Sequence, residues 1–134
     1  MTENEAREAV YAALVAVWLP APTVSLMFDN EVYKGGATEW ALANVHHTGG
    51  GQHSLGVAPD RIYRRWGLLT VHLNVALDKG TKRMDALARL VVAGLEGKVV
   101  GDVWFQDSAY REGGGGDGYR SGTVSLPFSY DEVK

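Results

Sequence analysis

The histidines are the residues of this chain best placed by type to do chemistry. His46, His47 and His53 stand around one glycine-rich stretch, and imidazoles at that density are what a zinc ion accepts. Two features count against a metal centre. His46 and His47 are consecutive, so they face opposite ways in any extended strand. No H-E-x-x-H pattern or carboxylate stands at ligand spacing either, which reads these three as solvated loop histidines. His72 falls between Thr70 and Asn74 in an alternating run, the place of a hydrogen-bonded sheet or intersubunit residue rather than a general base. Asp107, Glu112 and Asp117 are separated by flexible residues, whereas catalytic carboxylates need a rigid separation. No G-x-S-x-G elbow occurs. The run Gly113–Gly118 lacks the lysine and hydroxyl residue of a phosphate loop. With no cysteine in the chain, thiolate chemistry is excluded. No catalytic, cofactor-binding or metal-ligating residue is assigned. The enzymatic alternative is a small metal-dependent or ligand-binding domain built on His46, His47, His53 and His72.

Contact with another macromolecule is a better use for the remaining side chains. Arg61, Arg64 and Arg65 cluster with Tyr63 and Trp66, and arginine and aromatic residues are enriched at interface hot spots. The bland reading is a sheet edge kept soluble by charge. Trp40 and Trp66 are both hard to bury in so small a core, which favours the interface. The candidate contact residues are Trp40, Arg61, Arg64, Arg65, Trp66 and His72, with Tyr110 and Tyr119 on either side of the glycine run.

The elements that would carry these residues follow from periodicity. Thr2 and Glu5 form a T-x-x-E capping box, and Ala6, Val10, Ala13, Leu14 and Val17 recur at helical spacing, which predicts a helix over about 3–18. Pro20 and Pro22 end it. Strands are predicted over 23–29 and 39–46. A glycine-rich loop over about 48–58 follows, then a long strand over 61–77 with Leu69, Val71, Leu73, Val75 and Leu77 on one face. Met84, Leu87, Ala88, Val91 and Leu95 mark a second helix, which Thr81 can cap. Asp85 and Arg89 form an exposed pair along it. Gly94 costs that helix about 1 kcal/mol unless something packs closely there, and Gly97 is a natural C-terminal cap. A terminal hairpin takes 99–106 and 119–130 as strands around a mobile loop at about 111–118. The order α-β-β-β-α-β-β predicts one α+β domain over 1–134: a two-layer sandwich of two amphipathic helices and a mainly antiparallel four- to five-stranded sheet.

Composition narrows the class. At 134 residues the chain suffices for one domain, and 46% hydrophobic with 22% charged residues is ordinary for a globular protein. The formal charge of −3 opposes a generic nucleic-acid binder, whose affinity rests on phosphate neutralisation, and no sequence-specific nucleic-acid partner is expected. No run of eighteen apolar residues predicts a membrane span. The acidic start, Met1-Thr2-Glu3-Asn4-Glu5, is the reverse of a signal peptide, so a cytoplasmic site of synthesis is expected.

The order of elements, closing on Ser125-Leu126-Pro127-Phe128-Ser129-Tyr130 after a glycine-rich turn, resembles the tail terminator proteins of long-tailed phages. These are the lambda minor tail protein U type and related small tail-completion proteins. The resemblance spans nearly the whole chain. It implies a homohexameric ring that caps the tail tube and offers its other face to head-completion or connector proteins, located in the virion tail after assembly in the host cytoplasm. It carries no catalytic residues and no cofactor. A neck or head-completion protein of similar size is the alternative within the same setting.

Overall fold

The computed structural model describes residues 1–18, 25–28, 40–52, 61–76, 80–116 and 119–133. Helix α1 spans Glu3–Trp18 and opens on the expected capping box. The Thr2 N–H donates to Glu5 Oε1 at 3.0 Å, and the Glu5 N–H donates to Thr2 Oγ1 at 3.3 Å. Those bonds hold the Glu5 carboxyl below its usual range. Helix α2 spans Gly80–Leu95. It ends at Gly97, whose φ of 71° is the left-handed conformation that closes a helix. Pro20 and Pro22 lie outside the described residues.

Among the described residues there are seven strands: β1 (Ser25–Phe28), β2 (Trp40–Gln52), β3 (Ile62–Ala76), β4 (Val99–Val100), β5 (Val103–Phe105), β6 (Ala109–Gly116) and β7 (Tyr119–Val133). They form one sheet with the path β1-β2-β3-β7-β5-β4, and β6 lies beside β7. Its spine is the antiparallel pair β3–β7, in unbroken register from Ile62 opposite Val133 to Ala76 opposite Tyr119. β1 runs parallel to β2, so the sheet is mixed.

This corrects the expected two-layer sandwich on a mainly antiparallel sheet of four or five strands. The mixed sheet curls into a half-barrel rather than lying as a flat layer, and the order is α-β-β-β-α-β-β-β-β. Two local features produce the extra strands. Gly101 adopts φ 60°, and with Asp102 it turns the chain so that Val100 pairs with Val103. The apolar run at 99–106 is therefore a tight hairpin followed by a connection, as a glycine at the first turn position favours. The glycine run 113–116 was expected to be loop, but it belongs to β6 and pairs along β7 with one register shift between Glu112 and Gly115. Likewise 48–52 continue β2 past a bulge between His47 and Gly49, opposite Trp66 to Tyr63. Positions 53–60, 117 and 118 lie outside the described residues.

Pro127 falls inside β7, a central strand, where a residue without an N–H is normally excluded. Its carbonyl accepts from the Gln106 N–H at 2.9 Å, so its nitrogen also faces the β5/β6 side. There the partner changes: β5 ends opposite Phe128 and β6 begins opposite Ser125. The missing donor therefore interrupts no ladder bond.

One face of the sheet carries the core. Ala41, Ala43 and Val45 of β2, Leu69 to Val75 at alternate positions of β3, and Val124, Leu126, Phe128 and Tyr130 of β7 are buried. They meet Ala6, Val10, Leu14 and Trp18 of α1 and Met84, Leu87, Val91 and Leu95 of α2. Two glycines permit close approach. A Cβ at Gly67 would stand 2.3 Å from Phe128 Cζ, and one at Gly94 would stand 2.5 Å from Val17 Cγ1. The ring of Phe128 thus lies across the bare backbone of β3, and α1 sits against α2 at Gly94.

Candidate interaction surface

Alternation sends the intervening residues of each strand to the opposite face of the sheet. The register aligns them in rows: Trp40 beside Asn74 and Ser121, Leu42 beside His72 and Thr123, and His46 beside Leu68 and Pro127. Next come Gly49, Trp66, Ser129 and Trp104, then Gly51, Arg64 and Asp131. Among the described residues neither helix contributes to this face. Most of its side chains are only half-buried, and Trp66 is 43% exposed.

Four of the eight candidate contact residues lie here: Trp40, Arg64, Trp66 and His72. They do not form one patch. Eight residues of β3 separate the row of Trp40 from Trp66, roughly 26 Å at strand rise. His72 Nδ1 shares a hydrogen bond with Thr123 Oγ1 at 3.2 Å, as its place in an alternating strand suggests. The aromatic density gathers at the Trp66 end. Trp104 lies in the same row there, with the Arg64 guanidinium 4.8 Å above its ring.

The basic-aromatic cluster of the sequence divides between the two faces. Arg64 stays on the uncovered face, where its Nε donates to Asp131 Oδ1 at 2.9 Å and its Nη2 to Oδ2 at 3.2 Å. This two-point bond to a carboxylate holds the guanidinium pKa above its usual value. Arg65 points to the helix side and bonds Glu132 at 2.9 Å, with its guanidinium 5.4 Å from the Tyr63 ring. Arg61, just before β3, lies 5.5 Å from the same ring. Charge from Asp131 and Glu132 therefore offsets that of Arg64 and Arg65, and the patch is not strongly basic.

Tyr110 is also on the helix side. Its hydroxyl donates to Asp85 Oδ1 at 2.9 Å, and burial followed by that bond pushes its pKa well up. Asp85, read as the exposed companion of Arg89, thus ties α2 to β6. Glu96 does the same for the segment after β5. It accepts from the Ser108 hydroxyl and from the Ser108 N–H, the latter at 2.7 Å, and these bonds hold its pKa down. Tyr119 pairs with Ala76 and Gly116 at one end of the spine. Asp107 is exposed and Glu112 lies on β6, so the sequence's carboxylate trio is not drawn together there; Asp117 is outside the described residues.

The histidines separate as consecutive strand positions should. His46 is exposed on the uncovered face, whereas His47 is half-buried on the helix side. The His47 ring meets Phe128 and Tyr130 edge-on, with centroids 6.3 and 6.0 Å away. His53 lies outside the described residues. Among the described residues no group of three or more His, Cys, Asp or Glu side chains is placed to hold a metal ion. No described helix is long and apolar enough to cross a membrane. Sequence reasoning missed the environment of His47, because its neighbours come from residues 65 and 130 and from the start of α1.

No protein-family model matches the chain, and no curated protein is significantly similar to it. Solved structures do share its fold. One chain, which carries no functional name, superposes with a TM-score of 0.74 at 15% identity, covering 100% of this chain and 99% of that one. At that identity the likeness concerns the fold alone.

Proposed function

We propose that this protein is a structural component of a phage or prophage-derived tail: a non-catalytic terminator whose copies form a ring.

 Its ring caps the tail tube and presents an interface for head joining. The observation that carries this reading is the uncovered sheet face, with Trp66 and Trp104 in one row and Leu68 and Pro127 in the next. Both helices are spent on the opposite face, so large apolar side chains are left for a partner. A repeating partner suits such a surface: contacts that are heterologous, head to tail, close into a ring by rotation. The order of elements and the Leu126-Pro127-Phe128-Ser129-Tyr130 ending support the phage setting through the resemblance to tail terminators.

The test is assembly on a tail tube. Native mass spectrometry of the protein across concentration, with and without tail-tube protein, is expected to give a closed oligomer, most simply a hexamer. Labelled protein should appear at the head-proximal end of tails by electron microscopy. A species that stays monomeric with tube protein present overturns the reading, and a label on the head side of the neck reassigns the protein to head completion.

A further inference from the structure

At the end of the sheet near the start of α1, a cleft of about 330 Å³ opens between α1, β2, β3 and β7. Its size is at the lower end for ligand sites, enough for a small molecule or one side chain. His47, Arg65, Tyr130 and Glu3 line it, with Gly50 at its wall. Tyr130 is 0% exposed, yet its hydroxyl has no hydrogen-bond partner among the described residues, and neither does the buried Nε2 of His47. The Nε of Arg7, one turn along α1 from Glu3, is likewise buried and unpartnered. Buried polar atoms are normally satisfied, and each exception calls for a reason.

We propose that this cleft binds a small carboxylate, whose oxygens accept hydrogen bonds from the Tyr130 hydroxyl and from His47 Nε2. The chemistry of the walls selects this ligand. Tyr130 is a donor at neutral pH, since burial and the nearby Glu3 and Glu132 push its pKa up to about 12. Arg65 is already engaged by Glu132 at 2.9 Å; Arg7, which does not line the cleft but acts electrostatically on both His47 and Tyr130, is the remaining cation to offset a single negative charge. A doubly charged phosphate would face Glu3 with too little compensation, since Arg65 is already paired with Glu132. One histidine and one carboxylate are too few for a metal.

The groups that face His47 make binding sensitive to pH. Burial, and then Arg7, hold its pKa below the ordinary range, while Glu3 acts in the opposite sense. Tyr130 on β7 and Arg65 on β3 line the same cleft, and Arg65 is paired with Glu132. A bound carboxylate favours the protonated ring, so affinity rises as pH falls from neutrality toward the ligand's own pKa. Replacing His47 with Gln flattens that dependence.

The test is an NMR titration of the full chain with propanoate, with propanamide as the uncharged control and N-acetylglutamate amide as a peptide-like acid. Saturable shifts centred on His47, Gly49 and Gly50 are expected with the acids and not with propanamide. Tyr130→Phe should weaken binding about tenfold. Its melting temperature should hold or rise, because an unpartnered buried hydroxyl is removed. Binding of propanoate alone marks a free small acid as the ligand, and binding of both acids marks a side chain of a peptide or neighbouring chain. No saturable shift with either acid, equal shifts with propanamide, or unchanged binding in Tyr130→Phe overturns the proposal. None of these outcomes depends on ring formation.

Discussion

Single positions show how tightly this sheet is specified. Gly67 lies on the core face of β3, directly opposite Phe128, and a Cβ there would stand 2.3 Å from Cζ and 2.8 Å from both Cε atoms of the ring. Phe128 is fully buried and also meets the rings of Phe105 and Tyr130, so it has little room to move. Gly67→Ala is therefore expected to cost about 1–3 kcal/mol, the usual range for overpacking, read as a lower midpoint in denaturant melts. Gly51→Ala is the control, because nothing lies within 4 Å of a Cβ there; it should change stability by less than about 0.5 kcal/mol. Equal effects at the two sites would remove the packing explanation. The need for glycine at 67 was invisible in the sequence, where that residue simply precedes an alternating run. It becomes visible only once the β3–β7 register places an aromatic ring over it.

Elements with a local cause were legible, and those imposed by neighbours were not. Thr2 and Glu5 announced the start of α1, and the alternation from Leu69 to Val75 announced β3, because the signals lie within a few residues of one another. The glycine runs at 49–51 and 113–116 have no side chains to alternate. Their strand conformation comes from the long partners β3 and β7, which pair with them. Gly94 was half legible: the sequence shows its cost to α2 and leaves open whether close packing offsets it, and Val17 of α1 supplies that packing. That geometry predicts a reversal of sign. On helix propensity alone, Gly94→Ala should stabilise by about 1 kcal/mol, but the clash with Val17 should make it destabilising in the natural background. In a Val17→Ala background the same change should become stabilising, since the obstructing methyl groups are gone. Thermal or denaturant melts of the four proteins form a double-mutant cycle. A Gly94→Ala effect of the same sign in both backgrounds would mean that the helices do not meet there.

At the scale of the whole sheet the asymmetry is decisive: among the described residues two helices pack on one face and none packs on the other. The sequence did nominate Trp40, Arg64, Trp66 and His72 for that surface, but it also nominated Arg65 and Tyr110, which turn to the helix side. Clustering along the chain does not respect the alternation of faces. The structure concentrates aromatic area at the Trp66–Trp104 end and neutralises Arg64 through Asp131, so a contact there would rest on buried aromatic surface more than on charge. Replacing Arg64 with Glu would be a poor test of assembly, because it would set two carboxylates against each other within the monomer. Trp66→Ser is cleaner. The residue is 43% exposed, so the monomer loses some buried surface but should stay folded, whereas loss of an interface anchor typically costs about 2 kcal/mol, or about thirtyfold in affinity. In a closed ring of identical heterologous contacts the substitution is repeated at every interface, which makes the whole assembly steeply sensitive to it. Sedimentation or native mass spectrometry of Trp66→Ser is expected to show monomers at concentrations where the natural protein forms rings, with the monomer still melting as a folded protein. Trp40→Ser, some eight residues away along the sheet, reports on the other end. Rings that survive Trp66→Ser and fail in Trp40→Ser would move the contact to that end, and rings that survive both would take the uncovered face out of the assembly.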